Sequence, residues 1–354
     1  MNPLPPGVLF VGSFFSNVPG TSSPSEGLAS YLEGHGWNVF RTSGYLERIP
    51  RLRDMMMTAW RLRDRYCVAH VDVFSGAAFV WAESVCWVLR RARKPYVLTL
   101  HGGNLPAFAK RWPNRVRRLL QSASIVTTPS QYLQEQMKPY RAQFELLPNP
   151  LEVNEYRYRL RSSAGPRLVW LRAFHEIYNP VLGVRVVAAL VKEYPEITLT
   201  MVGRDKGDGS FQQARAEALA LGVEKHVEFP GGVSKNEVPQ WLERYDIFLN
   251  TTNVDNTPVS VLEAMASGLC VVSTNVGGIP YLLEDGQDAL LVPPDDVEAM
   301  AGAVRRILRD RGLAEQLSRN GRKKTEEFDW SRMLPRWDQL IHSLDIDPME
   351  TLNS

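Results

Sequence analysis

Short apolar runs alternate along the chain with longer segments of helical pattern. Most of the runs are continuously apolar, as strands buried on both faces of a parallel sheet are. Six runs lie in each half of the chain, so each half is predicted to form a doubly wound α/β domain. The predicted strands are Val8–Val11, Asn38–Arg41, Ala69–Phe74, Tyr96–Leu100, Ser124–Thr127, Phe144–Leu147, Arg167–Leu171, Ile197–Val202, His226–Phe229, Asp246–Asn250, Cys270–Ser273 and Ala289–Val292.

A segment rich in proline and glycine interrupts this alternation near the middle of the chain. It runs from Pro148-Asn149-Pro150 to Gly165-Pro166, and such residues are typical of connections between elements. We therefore predict one Rossmann-like domain over residues 1–150 and a second over residues 151–330.

Composition changes this picture only through the distribution of charge. The 354 residues are 44% hydrophobic and 23% charged, as in a soluble globular protein, and the net charge of +2 argues against binding polyanions by bulk charge. Residues 1–150 carry 18 basic and 9 acidic residues, a net of +9, and the rest of the chain carries 23 and 30, a net of −7. The two domains are thus expected to have different partners, and no recognisable nucleic-acid module is present, so no nucleic-acid partner is expected.

Cysteines and apolar segments bear on the location of the protein. Cys67, Cys86 and Cys270 are widely spaced, with neither a zinc spacing nor a disulfide framework, which predicts a cytoplasmic protein. The N-terminus has no signal-peptide pattern. The most apolar helical stretch, Gly76 to Leu89, is shorter than the roughly 20 residues that span a bilayer, so any membrane contact is expected to be peripheral, on the inner face.

The strongest candidate site follows the strand Asp246–Asn250. There Thr257 suits a helix N-cap, Pro258 the first helical position and Gly268 the helix stop. A helix that begins at Pro258 leaves the amides of Val259 and Ser260 free at its positive end, where a diphosphate can bind. Two carboxylates flank this predicted anion site, Asp255 before it and Glu263 inside the helix, and both are suited to sugar hydroxyls.

The segment Asp255 to Glu263 resembles the paired-acid motif of family-4 retaining glycosyltransferases, in which seven residues separate two glutamates. The following Val276-Gly277-Gly278-Ile279-Pro280 resembles the family too, and the likeness covers nearly the whole chain. It implies an α/β GT-B fold of two facing Rossmann-like domains with a cleft, and a C-terminal helix and tail (331–354) that cross back to the first domain. It places Glu263 on the nucleotide ribose and Asp255, an Asp where the family has Glu, on the donor sugar.

Arg172 ends the first strand of the back domain, where a guanidinium can hold a diphosphate and stabilise the leaving group. A structural ion pair is the alternative. The family has an Arg here and a Lys several residues later, near which this chain has the neutral Asn179. Lys206 or Arg204, after the strand that ends at Val202-Gly203, could supply the missing charge.

Three further predictions, for His101, Gly12 and Val233, depend on the resemblance, and a fourth, for Gly102 and Gly103, follows from the freedom of the glycine backbone. His101 lies in a strand–His–Gly context that places it at the reacting centre, and alone it would be taken as structural. Gly102 and Gly103 allow a ligand to approach the backbone. Gly12 begins the loop that stands where the family has its glycine-rich loop, and Val233, after Gly231-Gly232, resembles the segment that contacts the base.

The basic half also contains an amphipathic pattern over Arg51–Arg65, with one apolar face and arginines around it. Such a helix can lie on an anionic membrane surface, and a core-facing helix with a solvated basic face is the alternative.

The predicted function is retaining transfer of a hexose from a nucleotide diphosphate sugar, UDP favoured over GDP, to a glycan, lipid-linked or small-molecule acceptor. No cofactor and no metal are expected. Two alternatives remain open, a nucleotide-sugar epimerase or hydrolase on the same fold and a catalytically weak nucleotide-sugar-binding protein.

Overall fold

The computed structural model describes residues 7–12, 14 and 24–345. Contacts divide the described chain into two compact units. Unit 1 takes the described residues of 1–150 together with those from Ser331 onward, and unit 2 is Leu151–Trp330. The tail from residue 346 to the end lies outside the described part.

Unit 1 is built on one parallel six-stranded sheet in the order β2-β1-β3-β4-β5-β6. Its strands are β1 Gly7–Val11, β2 Asn38–Thr42, β3 Val68–Val73, β4 Tyr96–Leu100, β5 Ile125–Thr128 and β6 Glu145–Leu146. Its helices are α1 Pro24–Gly34, α2 Arg48–Arg61, α3 Phe79–Arg91, α4 Leu105–Arg111, α5 Pro113–Gln121, α6 Gln131–Met137 and, from the C-terminal end of the chain, α14 Trp330–Asp345, with a 3₁₀ turn at Gly76–Ala78.

The helix α14 packs against the sheet of unit 1 through aromatic side chains. The ring of Trp337 meets His70 of β3 edge-on, with 5.5 Å between the centroids, and Trp37 donates from Nε1 to Oδ1 of Asp338 at 2.7 Å. Both Trp37 and Trp337 are buried. The last helix is therefore part of the core of unit 1.

Unit 2 has a parallel six-stranded sheet in the order β12-β11-β10-β7-β8-β9. Its strands are β7 Arg167–Leu171, β8 Thr198–Val202, β9 Val227–Gly231, β10 Ile247–Asn250, β11 Cys270–Thr274 and β12 Leu290–Val292. Its helices are α7 Pro180–Leu190, α8 Ser210–Ala220, α9 Val238–Leu242, α10 Val259–Ala266, α11 Ile279–Leu282, α12 Val297–Arg309 and α13 Arg311–Thr325, with 3₁₀ turns at Val153–Glu155, Glu176–Tyr178, Lys235–Glu237 and Glu326–Phe328.

All twelve predicted strands are present, and the prediction of two doubly wound α/β domains is confirmed. Most strand ends differ from the prediction by one or two residues. β6 loses half of its predicted length and shrinks to Glu145–Leu146, because it lies at the sheet edge and pairs only with β5. β9 ends two residues later than predicted, at Gly231.

The strand orders place a topological switch point in each sheet. In unit 1 the chain reverses its direction of progress between β1 and β3, and in unit 2 it does so between β7 and β10. In open α/β sheets ligands bind beyond the carboxyl ends of the strands at such points. The residues that directly follow β1, β3, β7 and β10 are therefore the first candidates for a binding site.

Candidate functional site

Arg172 and Asp255 meet at the switch point of unit 2. Arg172 follows β7 and Asp255 lies in the loop after β10, and Nη2 of Arg172 forms an ion pair with Oδ2 of Asp255. The guanidinium also lies over the ring of Tyr178, 4.1 Å from its centroid. Burial raises the pKa of Asp255, and the charge of Arg172 offsets part of that rise. The structure thus places two predicted catalytic residues side by side, in the ion pair that was the alternative for Arg172.

Helix α10 begins one residue later than predicted. Pro258 is its N-cap, with φ −71° and ψ 111°, and the first helical residue is Val259, so the predicted capping role of Thr257 is wrong. The extended backbone of Pro258 is the reason, since it turns the chain into the helix without a side-chain cap. The helix stop at Gly268 is confirmed, with a φ of +79° that favours glycine.

The start of α10 retains several unsatisfied donors. The amides of Val261 and Leu262 reach the carbonyl of Pro258, but those of Val259 and Ser260 have no such acceptor among the described residues. The hydroxyls of Thr257 and Ser260 are also buried without a partner in the described part of the chain. Because buried polar groups are nearly always hydrogen-bonded in folded proteins, this cluster is suited to an anionic ligand.

Gly277 and Gly278 allow a second loop to lie against this segment. A Cβ on Gly278 would come within 1.9 Å of the carbonyl oxygen of Asn256, and one on Gly277 within 2.2 Å of that of Asp255. The amide of Gly278 donates to the carbonyl of Asp255 at 3.0 Å. The glycine pair therefore fixes the backbone that carries Asp255.

Glu263 lies inside α10 with its side chain almost entirely buried. Its Oε1 accepts a hydrogen bond from the hydroxyl of Tyr156 at 3.0 Å and forms an ion pair with Nζ of Lys235. Burial, and then the Glu263 carboxylate, raise the pKa of Tyr156, which keeps that hydroxyl a donor. No donor in the described part of the chain reaches Oε2. One carboxylate oxygen is thus held in place and the other is available for a ligand.

The sequence analysis did not identify Tyr156 and Lys235. Lys235 stands two residues beyond Val233, which was chosen for its resemblance to a base-contacting loop and which packs, half-buried, against the core of unit 2. That position was the only available signal for Lys235. Tyr156 lies in the predicted interdomain connection, where its sequence context says nothing about a ligand.

The other predicted residues of unit 2 differ in their surroundings: one lies against Arg172, one is exposed to solvent and one caps a helix. Gly203 lies directly against the backbone of Arg172, since a Cβ there would come within 1.7 Å of its carbonyl oxygen. Lys206 is exposed. Asn179 caps α7 by accepting from the amide of Leu182 at 3.4 Å, and its Nδ2 donates to Asp295 at 3.1 Å. The Asn179 side chain is therefore engaged in local structure at both ends.

In unit 1 a buried carboxylate organises the predicted residues. Nε2 of His101, which follows β4, lies 2.9 Å from Oδ1 of Asp72 in β3. The hydroxyl of Ser25 donates to the same oxygen at 2.5 Å. Gly12 follows β1, and a Cβ there would come within 2.5 Å of Oδ2 of Asp72. The sequence analysis missed Asp72, whose signal was a charged residue inside an otherwise buried strand.

The surroundings of His101 fix its ring. It stacks on Phe74 with 4.9 Å between the centroids, and its amide donates to the carbonyl of Val73 at 2.9 Å. Gly102 follows with a φ of +85° and open space where a side chain would be, and Gly103 is half-buried. The imidazole is therefore held from two sides beside a backbone that a ligand can approach.

The charges around Asp72 decide its protonation. Burial alone would raise its pKa, but the charge and hydrogen bond of His101, with His70 and Ser25, lower it below the ordinary value. Burial lowers the pKa of neighbouring His70 to about 4, so His70 is neutral at pH 7. Asp72 is thus an anion at neutral pH, and the pair can orient a hydroxyl or share its proton.

The structure describes no membrane-spanning or metal-binding feature. Within residues 7–12, 14 and 24–345, no helix is long and apolar enough to cross a bilayer. Nor does any group of three or more His, Cys, Asp or Glu side chains in those residues have the arrangement of a metal site.

Two family models match long segments of the chain. The model "Glycosyl transferases group 1" matches residues 165–324, and "Glycosyltransferase Family 4" matches residues 18–155. Together they cover most of both units. The predicted family resemblance is confirmed, and the two segments on which it was first stated, Asp255 to Glu263 and Val276 to Pro280, lie inside the first matched range.

Two curated relatives match only part of the chain. The sulfoquinovosyl transferase SQD2 of Arabidopsis thaliana is 29% identical over 150 residues, which are 42% of this chain and 28% of the relative. A GDP-mannose-dependent alpha-(1-6)-phosphatidylinositol monomannoside mannosyltransferase of Mycobacterium tuberculosis is 28% identical over 204 residues, 56% of this chain and 51% of the relative. The matched parts thus span about a quarter to a half of the length of these relatives.

A solved structure matches over almost the full length. The Anabaena protein Alr3699/HepE, in complex with UDP, superposes with a TM-score of 0.74 and 17% identity, covering 95% of this chain and all of its own. At that identity the likeness is one of fold. It confirms the predicted GT-B class, in which both domains are Rossmann-like.

Proposed function

The chain belongs to the group 1 glycosyltransferases, and from that membership we propose that it transfers a hexose from a nucleotide diphosphate sugar to an acceptor hydroxyl with retention of anomeric configuration. One observation carries the proposal. The start of α10 has two free amides and two unpartnered buried hydroxyls, and Asp255, three residues before the N-cap Pro258, is paired with the cationic Arg172.

In this proposal the donor binds to unit 2. The diphosphate accepts hydrogen bonds from the amides of Val259 and Ser260, and Arg172 contacts it bidentately after releasing Asp255. Glu263 uses Oε2 to accept from the ribose hydroxyls, and the freed Asp255 accepts from the sugar. The backbone around Val233 contacts the base, with UDP as the first candidate and GDP as the second.

The acceptor, a glycan, lipid-linked or small hydroxyl compound, is proposed to bind to unit 1. The acceptor oxygen forms a bond to the anomeric carbon on the face that the leaving diphosphate departs from, so the configuration is retained. The bond from that carbon to the phosphate oxygen breaks, and the acceptor proton passes to the diphosphate. His101 orients the reacting groups, and Arg172 with the α10 amides stabilises the leaving charge. No metal or cofactor is required.

Nucleotide binding tests the proposal directly. Calorimetric titration with UDP, GDP and their hexose conjugates should give saturable binding to one of the two series. Glu263→Gln should weaken that binding roughly tenfold or more, the worth of a hydrogen bond to a charged group. Glu298→Gln, at a well-exposed carboxylate in the same unit, is the matched control and should bind as the parent does. If no nucleotide binds, the proposal fails.

Product analysis separates the alternatives. Transfer predicts nucleotide release that depends on an added acceptor and a product whose anomeric proton coupling matches that of the donor. Release without acceptor would instead indicate an epimerase or hydrolase. The Arg172–Asp255 ion pair and the neutral Asn179 favour a second candidate, a weakly catalytic nucleotide-sugar-binding protein, for which binding would occur without turnover.

A further inference from the structure

A groove between α2 and α3 of unit 1 lies outside the candidate donor and acceptor sites, and one of its walls is the amphipathic segment Arg51–Arg65. We call it the α2–α3 groove. It has a volume of about 550 Å³, its walls include Met57, Trp60 and Trp87, and Arg61 and Arg91 stand at its rim. About half of the surface of each tryptophan is exposed, 48% for Trp60 and 50% for Trp87. Large apolar side chains this exposed mark an interaction surface.

The groove is basic as well as apolar. The sequence of α2 contains four arginines and a single acidic residue, and Arg61 and Arg91 form no ion pair among the described residues. The guanidinium of Arg63 lies over Trp60 at 4.7 Å, and that of Arg91 lies over Trp87 at 5.0 Å. Each exposed indole thus has a cation at its face. Asp64 pairs with Arg63 at 3.6 Å, and no carboxylate among the described residues pairs with Arg61 or Arg91 at the rim.

This combination matches the boundary of an anionic bilayer. Tryptophan is enriched at the level of lipid headgroups, where its ring is half apolar and half polar. Arginines at the same depth contact lipid phosphates, each worth about 1 kcal/mol near a charged surface. A second copy of the chain is a poor occupant, because a symmetric contact would bring two unneutralised arginine rims together.

We propose that the α2–α3 groove docks unit 1 onto an anionic phospholipid surface, with Trp60 and Trp87 at the level of the headgroups and Arg61 and Arg91 on the phosphates. The proposal goes beyond sugar transfer and does not depend on it. It extends the membrane interpretation of the α2 sequence pattern, since the surface also includes Trp87 and Arg91 of α3.

Cosedimentation with vesicles tests the proposal on the full chain. The protein should sediment with vesicles of equal parts phosphatidylcholine and phosphatidylglycerol at low salt. It should not sediment with phosphatidylcholine alone, and high salt should release it. The double variants Trp60→Ala/Trp87→Ala and Arg61→Glu/Arg91→Glu should each weaken binding on the order of tenfold or more.

Two matched controls distinguish binding through the groove from binding through any exposed tryptophan or through net charge alone. Trp112→Ala removes another exposed tryptophan of unit 1, one that lies under Arg111, and Lys192→Glu/Arg311→Glu makes the same change of net charge on exposed residues of unit 2. Both should bind as the parent does. All variants should keep the parent's urea midpoint and nucleotide affinity, so loss of lipid binding is read independently of the proposed donor site.

Three results would overturn the proposal. They are no sedimentation with the mixed vesicles at low salt, equal loss in the control variants, and a concentration-dependent dimer of the parent that Trp60→Ala/Trp87→Ala abolishes. The last result would assign the groove to a second copy of the chain.

Discussion

The carboxylate of Asp72 lies 2.9 Å from Nε2 of His101, and both side chains are buried. The same carboxylate accepts from Ser25 and leaves no room for a side chain at Gly12. Gly12 after β1, Ser25 at the start of α1 and His101 after β4 thus all lie against the carboxylate of Asp72, beside the β1–β3 switch point. A carboxylate that is hydrogen-bonded to one ring nitrogen of an imidazole fixes the orientation of that ring.

Replacing Asp72 with Asn should therefore impair turnover more than substrate binding. The amide removes the negative charge next to the imidazole at nearly constant volume. We expect kcat to fall roughly ten- to a hundredfold, at or below the lower end of the range for lost acid–base catalysis because His101 itself remains, with a small change in the donor KM. Initial rates of nucleotide release as a function of pH measure both the size of the effect and its pH dependence.

A double-mutant cycle is the control for Asp72. If Asp72 acts through His101, the loss caused by Asp72→Asn should largely disappear in a His101→Ala background. Asp72→Glu, which keeps the charge, should retain part of the pH profile. Additive losses would mean that Asp72 serves only the packing of unit 1.

The sequence predicted the framework well because strands buried on both faces carry a strong local signal. Every strand from β1 to β12 was anticipated. Gly12, Arg172 and Asp255 were selected as candidates because the loops after parallel strands lie at one edge of the sheet. Strand ends and the start of α10 were less accurate. Whether Pro258 is an N-cap or a first helical residue depends on one ψ angle, which the sequence does not determine.

The residues that support the site were harder to predict because their role comes from distant contacts. Tyr156 and Lys235 reach Glu263 across 107 and 28 positions of the chain. No short spacing or periodicity connects such residues. Asn179 differs from these residues because its place in the sequence suggested a ligand contact. In the structure it has a left-handed backbone and caps α7, which are features of the turn before that helix.

Tyr156→Phe should weaken nucleotide binding without abolishing it. The hydroxyl holds Oε1 of Glu263, so its removal lets the carboxylate rotate and leaves a buried acceptor with one donor fewer. The expected cost is about 1 kcal/mol, or roughly a fivefold rise in the Kd of the preferred nucleotide, measured by calorimetry. Tyr158→Phe, at a more exposed tyrosine nearby in sequence, should leave that Kd unchanged. An unchanged Kd in Tyr156→Phe would show that Glu263 needs no such support.

Gly278→Ala should destabilise unit 2 and impair donor binding together. Because the new Cβ would come within 1.9 Å of the Asn256 carbonyl, the backbone that carries Asp255 must shift. We expect a loss of about 1–3 kcal/mol in the free energy of unfolding, measured in urea, with a weaker nucleotide affinity. Gly302→Ala in α12, where a Cβ has open space, is the matched control and should be neutral or slightly stabilising. Equal effects of the two substitutions would contradict the close-approach argument.

Acid should destabilise the protein in two separate pH windows, the first of them caused by His70. Burial lowers its pKa from the ordinary 6.5 to about 4 in the folded state. As the pH falls through 6.5, the unfolded chain binds a proton at this residue and the folded chain does not. Proton binding therefore stabilises the unfolded state relative to the folded state. By pH 4 the free energy of unfolding should have fallen by about 3 kcal/mol from this group alone.

The second window lies lower and belongs to Asp72. Its pKa is depressed in the folded state, so its contribution is complete above the ordinary Asp value and is lost as the pH falls through the lower folded value. Urea unfolding of the parent, His70→Gln and Asp72→Asn across pH 3 to 7 separates the two. His70→Gln, which retains a hydrogen-bonding group for Thr99, should flatten the curve between pH 6.5 and 4. Asp72→Asn should flatten it below that range and extend the His70 window to lower pH, because the Asp72 charge opposes the fall of the His70 pKa. An unaltered slope in His70→Gln would mean that other groups cause the upper window.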